Sequence, residues 1–338
     1  MTTAFYSHAE CRAHDMGRGH PECPQRLDAI FDHLIATGLA VALDHREAPP
    51  ATLAQLERAH TSSHVRELQS LTEPLAASGP LAALPLLRLE QCGPVLHSRL
   101  NRPAKRNSVS DELLAPLHTV FINLPASFRA AVISGEGEHF CAGLDLSEVS
   151  ERNVAEGMQH SRAWHACFDA IQFGPVPVIA VLHGAVVGGG LELAASTHLR
   201  VAEASAFYGL PEGTRGIFVG GSGSVRISRL IGVARMTDMM LTGRVFDADE
   251  GQYFGISNYR VGEGEGLAKA LALASKIATN APLSNYAITQ ALPRIADLSA
   301  SDGLFMESLI SSIAQGDEAA KERVRAFLEK RAAKVAKP

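Results

Sequence analysis

The stretch Val176–Leu182, VPVIAVL, constrains the fold more than any other part of the sequence. It has no polar residue. A strand can be apolar at every position only when both its faces are covered, as in a parallel sheet flanked by helices. HGAVVGGG follows at 183–190, and then LELAAS, which reads as a helix over Gly190–Ser196. Strand, glycine turn and helix in this order predict an α/β chain.

The rest of the sequence extends this pattern. Leu86–Ser98 predicts one or two strands, Ala130–Ser134 a buried strand stopping at Gly135, and Leu199–Ala202 and Ala206–Gly209 two short strands. Helices are predicted over Ser108–Asn123, with Ser110 as its cap, and over Val154–Phe173, Gly223–Ile231, Ala234–Leu241 and Leu267–Asn280. Asp302–Lys334 reads as helical, ending in a charged amphipathic stretch. The N-terminal part has a different texture, crowded with His8, His14, His20, His33, His45, His60 and His64. Leu27–Thr37, Ala51–Arg58 and Ser63–Leu71 read there as short helices. The expected organisation is a small, mostly helical segment over 1–71, a Pro/Ala/Gly-rich linker over 72–85, a core over 86–265 and a helical region over 266–338.

Charge excludes several functions. The formal net charge of −5 offers no basic field for nucleic acid or an anionic membrane. No apolar run reaches the length of a membrane span, and the N-terminus has no basic-then-apolar secretory pattern. Cys11, Cys23, Cys92, Cys141 and Cys167 are odd in number and widely spread, so a reducing cytoplasm is expected rather than a disulfide framework.

Three motifs carry the chemistry. HFCAGLDL (139–146) follows a predicted strand and places Ala142 and Gly143 in a turn that a substrate could approach closely. HGAVVGGGLEL (183–193) brings Gly188, Gly189 and Gly190 to a helix start, where free N–H groups favour negative charge. One N–H from each motif could form an oxyanion hole, in which a single donor is worth roughly 3–4 kcal/mol. FYGLPEGTRGIFVGGSG (207–223) adds Glu212 to Glu192 of the second motif, and two carboxylates among glycines are the ingredients of general acid/base work. FVGGSG has no following GK[ST], so it is not a Walker loop.

Taken in order with LNRPAKRNS (100–108), LTGR (241–244) and AFLEKR (326–331), these motifs resemble the crotonase, or enoyl-CoA hydratase/isomerase, superfamily from about Leu86 to Pro338. The resemblance implies a spiral of ββα turns with a C-terminal helical region that builds homotrimers, often paired into hexamers. It also implies an acyl-CoA thioester substrate, with coenzyme A as part of that substrate and no further cofactor or metal. By position, the N–H groups of Leu144 and Gly189 would hold the thioester oxygen. Glu192 and Glu212 match the glutamates that activate water and move a proton at the α-carbon. Ala104, Lys105, Arg106 and Asn107 match the segment around the CoA adenine, with Lys105 or Arg106 meeting its phosphates, and Ala142 lines the approach. Retention of both glutamates favours an enoyl-CoA hydratase. An isomerase, a hydroxycinnamoyl-CoA hydratase-lyase and an inactive acyl-CoA-binding fusion product are the alternatives.

Residues 1–70 resemble the start of a histone-deacetylase-like amidohydrolase, in AFYSHAECRAHDMGRGHPECPQRLDAI and LERAHTSSHVREL. That family's zinc ligands and catalytic histidines lie further along its fold, and nothing after Leu71 supplies them, so no deacetylase site is expected. His8, Cys11, His14, His20 and Cys23 have metal-like spacing, but this resemblance accounts for them without zinc. Cys141 reads as a small buried residue, His183 as structural, and Trp164 and Phe168 as core or an acyl-pocket wall.

Overall fold

A computed structural model describes residues 84, 86–145, 147 and 153–329, and in the N-terminal part residues 3–7, 29–30, 33–34, 37 and 43–47. The chain divides into two compact units, Met1–Leu71 and Thr72–Pro338.

In the first unit, β1 (Thr3–Ser7) runs parallel to β2 (Leu43–Glu47), with Thr3 opposite Leu43 and Ser7 opposite Glu47. The sequence reading placed helices in this unit and did not foresee the pair. Two five-residue strands, one of them the polar LDHRE, give too short a period to register. Ala29, Ile30, His33 and Leu34 are helical, inside the helix predicted over 27–37. The helices predicted over 51–58 and 63–71, the linker except Leu84, and His8, Cys11, His14, His20 and Cys23 lie outside the described residues.

The second unit opens with the antiparallel hairpin β3 (Leu87–Cys92) and β4 (Val95–Leu100). Then come α1 (Asp111–Ile122), β5 (Ala130–Gly135), α2 (Val154–Gln172), β6 (Val178–Leu182), β7 (Ala185–Val187) and α3 (Gly189–Ala195). They are followed by β8 (Leu199–Glu203), β9 (Phe207–Gly209), α4 (Gly223–Ile231), α5 (Val233–Thr242), β10 (Val245–Asp247), α6 (Ala248–Phe254) and β11 (Tyr259–Val261). Four helices end the described chain: α7 (Gly266–Ala278), α8 (Pro282–Ile295), α9 (Ala300–Gly316) and α10 (Glu318–Leu328).

The main sheet has the order β11-β8-β6-β5-β4-β3 and is parallel except for the β3–β4 hairpin. The apolar β6 lies in its interior, and its residues alternate between two cores. Val178, Ala180 and Leu182 join the large core with α1, α2 and α3, whereas Ile179 and Val181 pack with Ala270 and Ala274 of α7. That double burial is what a strand without polar positions requires. A smaller sheet, β10-β9-β7, pairs β7 with β9 in parallel and β9 with β10 antiparallel. It holds side by side the two strands that lead to Glu192 and Glu212.

Ser110 caps α1 as expected, accepting from the Leu113 N–H, and Leu113, Leu114, Leu117, Val120 and Phe121 form the buried stripe. The helix predicted over 302–334 is broken at Asp317, whose side chain instead caps α10 through the Ala320 N–H. The prediction did not include α8, which starts at Pro282, nor β7, β10 and β11, each of three residues. Among the described residues no helix is long and apolar enough to cross a membrane.

Candidate active site

The segment 141–145 is stitched to its neighbours on both sides. The Cys141 N–H donates to the Ala185 carbonyl (3.0 Å), and the Val187 N–H donates to the Cys141 carbonyl (3.1 Å). On the other side, the Val109 N–H donates to Gly143 O (2.7 Å) and the Asp145 N–H to Val109 O (2.9 Å). The Leu144 N–H falls between these bonds. It faces the start of α3: a methyl group placed on Gly189 would lie 3.6 Å from Leu144 N. Among the described residues, no acceptor takes the N–H of Leu144 or of Gly189. Two free donors from two motifs therefore converge, one of them on the first residue of a helix.

The glycine turn that makes this possible has three separate constraints. Gly188 takes φ 53°, in the left-handed region, and a Cβ there would also meet Glu212 Oε1 at 2.8 Å. A Cβ on Gly189 would strike the Trp164 ring at 2.6 Å, and one on Gly190 would strike the Cys141 carbonyl at 2.2 Å.

Glu192 lies in the first turn of α3 and is only 3% exposed. Its Oε1 accepts from the N–H groups of Gly221 (2.9 Å) and Gly223 (2.6 Å). Burial pushes this carboxyl up to about 7, and the neighbouring Glu212 pushes in the same direction, against the two N–H donors and the Arg226 cation. Glu212 stands at the head of a short 3₁₀ turn, Gly213–Arg215, and is 7% exposed. Its Oε2 is buried and accepts no hydrogen bond among the described residues. Burial raises this carboxyl too, with Arg215 opposing. The two acids thus differ: Glu192 is held by two N–H groups from another segment, whereas Glu212 has only its own backbone N–H and one buried oxygen without a partner among the described residues.

Trp164 closes the floor. Its ring packs beneath both Gly189 and Gly221, its edge meets Phe168 at 5.6 Å between centroids, and its Nε1 donates to His160 Nε2 at 3.3 Å.

Ala104, Lys105 and Arg106 are exposed on a turn beside this site, where the Arg106 carbonyl accepts from the Ala142 N–H (3.0 Å). Ala142 itself is half-buried. Asn107 is different. It is buried, its Oδ1 accepts from the Arg102 N–H (2.9 Å), and its Nδ2 donates to the carbonyls of Glu136 (2.8 Å) and His139 (2.7 Å). Its side chain holds the loop and has no donor left for a ligand.

Sequence reasoning gave no role to Arg102 and Asp145. Arg102 donates to Ser108 O (2.6 Å) and to Asp145 Oδ2 (2.7 Å), which ties the 102–108 loop to the segment bearing Leu144. Ser147 and Arg102 together hold the Asp145 carboxyl well below the usual carboxylate range. The available signal was an unexplained charge at one end of each motif. Cys141 and Cys167 are buried with thiols pushed up to about 12, and His183 bonds the Gly137 carbonyl at 3.0 Å, as a structural residue would. Among the described residues no group of three or more side chains is arranged to hold a metal.

Comparison with known proteins places this arrangement. A family pattern described as enoyl-CoA hydratase/isomerase matches residues 90–337. Enoyl-CoA hydratase EchA19 of Mycobacterium tuberculosis is 31% identical over 260 residues, covering 75% of this chain and 96% of its own. The 2,3-dehydroadipyl-CoA hydratase of Escherichia coli is 34% identical over 239 residues, covering 70% and 93%. A crystal structure from Rhodopseudomonas palustris, named for enoyl-CoA hydratase, is 57% identical with a TM-score of 0.72, covering 75% of this chain and 98% of its own. The matched region contains all three motifs, both glutamates and both free N–H donors, and the chain belongs to the enoyl-CoA hydratase/isomerase family.

Proposed function

We propose that the protein is an enoyl-CoA hydratase, adding water across the 2,3 double bond of an enoyl-CoA thioester. One observation carries this reading: two buried glutamates in unlike environments share a site with two unclaimed backbone N–H groups. Glu192, as carboxylate, takes a proton from water while the water oxygen bonds to C3. The double-bond electron pair moves to the thioester oxygen, which becomes an enolate between the N–H groups of Leu144 and Gly189. The enolate then collapses as C2 takes the proton of Glu212, whose unpartnered Oε2 suits the protonated form. The CoA moiety would run along the exposed turn of Ala104, Lys105 and Arg106 and past Ala142, with Lys105 or Arg106 at its phosphates. Asn107 supports that turn from beneath.

The same reading makes residues 86–265 the catalytic core and 266–338 a homotrimer- or hexamer-forming region, supported by the exposed apolar residues of the last helices. It assigns no chemistry to residues 1–71.

The test is loss of the conjugated enoyl-thioester absorbance of crotonyl-CoA and cinnamoyl-CoA, with the product identified by mass. The expected result is 3-hydroxyacyl-CoA formation that drops by roughly 10²–10⁴-fold in each of Glu192→Gln and Glu212→Gln. Turnover unchanged by both substitutions would refute the acid/base pair. A shifted double bond or a cleaved aldehyde product would give the site to isomerisation or lysis instead.

A further inference from the structure

Arg226, on the first turns of α4, is a cation that the reaction scheme does not use. It is buried, and it forks three ways: Nε donates to Gln172 Oε1 (2.6 Å), Nη2 to Asp169 Oδ1 (2.5 Å), and Nη1 to Ser222 Oγ. Asp169 and Gln172 belong to α2, so this one side chain ties α2 to the turn that opens α4. That turn is Gly221–Ser222–Gly223. Its outer two N–H groups are the donors to Glu192 Oε1, and among the described residues all the hydrogen bonds to that carboxylate fall on Oε1. Ser222 between them has φ 91°, a left-handed conformation that side-chain-bearing residues rarely adopt. Such a conformation persists only where the surroundings over-determine it: the Ser222 carbonyl accepts from the N–H groups of Val225 (3.1 Å) and Arg226 (3.0 Å), its neighbours Gly221 and Gly223 are tied to Glu192, and the bond from Arg226 is the one that holds its side chain.

We infer that Arg226 is a positioning residue for Glu192: braced on Asp169 and Gln172, it pins the Gly221–Gly223 turn so that Oε1 is fixed and Oε2 is left for the reacting water. The inference rests on Glu192 acting as the hydratase base. A lysine would keep the charge but offers its donors from a single nitrogen, without the planar fork that reaches Gln172, Asp169 and Ser222 from three.

The test is steady-state hydration of crotonyl-CoA across pH by the full chain and by Arg226→Gln, Arg226→Lys and Ser222→Gly, with the folded fraction of each measured by circular dichroism. Arg226→Gln is expected to lower kcat on the order of 10²-fold with KM little changed, as a displaced catalytic group does. The charged groups facing Glu192 are Glu212 and Arg226, so loss of this cation should also move the acid limb of the rate profile to higher pH. Arg226→Lys should keep the limb and recover only part of kcat. Ser222→Gly, which relaxes the backbone but loses the hydroxyl, should lie between wild type and Arg226→Gln. Wild-type kcat and an unmoved limb in Arg226→Gln would overturn the inference while leaving the hydratase reading intact. So would a rate loss that merely follows the folded fraction. A wild-type protein that does not hydrate crotonyl-CoA would sink the hydratase reading, and this inference with it.

Discussion

Glu192 is held where its own charge is poorly solvated, and the protein bears that cost in stability. Its carboxyl is raised from an ordinary 4.5 to about 7 by burial first and by Glu212 second. Here the folded state binds the proton more tightly than the unfolded chain does. The sign is therefore the reverse of a salt-bridged carboxylate: nothing is lost below the ordinary value, and stability falls as pH rises from about 4.5 to about 7. A shift of this size corresponds to ~3 kcal/mol at the upper end. Glu192→Gln keeps an oxygen for the Gly221 and Gly223 N–H groups and removes the charge. It should therefore raise the melting temperature clearly at pH 8 and hardly at pH 5. Equal gains at both pH values would show that packing, not charge, sets the effect. The variant that destroys activity is thus expected to be the more stable protein, the usual relation at a site built for chemistry.

The turn between β7 and α3 shows how much one short element can encode. In the sequence Gly188, Gly189 and Gly190 read as a single signal, a bare helix start, which is enough to mark a candidate site. It could not separate their reasons, because the groups they avoid come from remote parts of the chain. Gly190 is pressed against a backbone carbonyl, that of Cys141, whereas Gly189 is pressed against a side chain, Trp164. A carbonyl within a strand pairing has nowhere to go, but an indole can be replaced. Gly190→Ala should therefore cost ~1–3 kcal/mol or more, whatever else is changed. Gly189→Ala should lose hydration activity and regain part of it when combined with Trp164→Leu. Kinetics of the single and double variants, read as a cycle, would decide this; no rescue by Trp164→Leu would mean that the added methyl group acts on the Leu144 N–H it faces rather than through the indole. Asn107, placed by the family resemblance in the segment around the CoA adenine, shows the same limit. Its partners, the carbonyls of Glu136 and His139, lie some thirty residues away in sequence, so only the folded chain shows that its side chain is already used.

At the level of the whole molecule, the sequence made the parallel sheet legible through β6 and the site through glycines and acids, but left open what covers the last helices. Helix α9 buries only Gly303 and α10 buries none of its residues, in a region that the sequence shows only as one helical stretch with a charged amphipathic end. Phe305, Leu309 and Ile313 recur every fourth residue on α9, with Phe305 68% exposed, and Val324, Phe327 and Leu328 make a matching stripe on α10. Most helical stability in a protein comes from burying an apolar face, which neither helix does here. A contiguous exposed apolar surface of this kind is what an oligomer interface presents. A second copy of the chain, in the homotrimer or hexamer proposed above, would give these stripes their partner. Phe305→Glu combined with Leu309→Glu would then place a charge in each interface. Light scattering after size exclusion should show the wild-type chain as a trimer or hexamer and the double variant as a monomer with a lowered melting temperature. A wild-type monomer, or a double variant that keeps the assembly and its stability, would mean that the stripes serve some other contact.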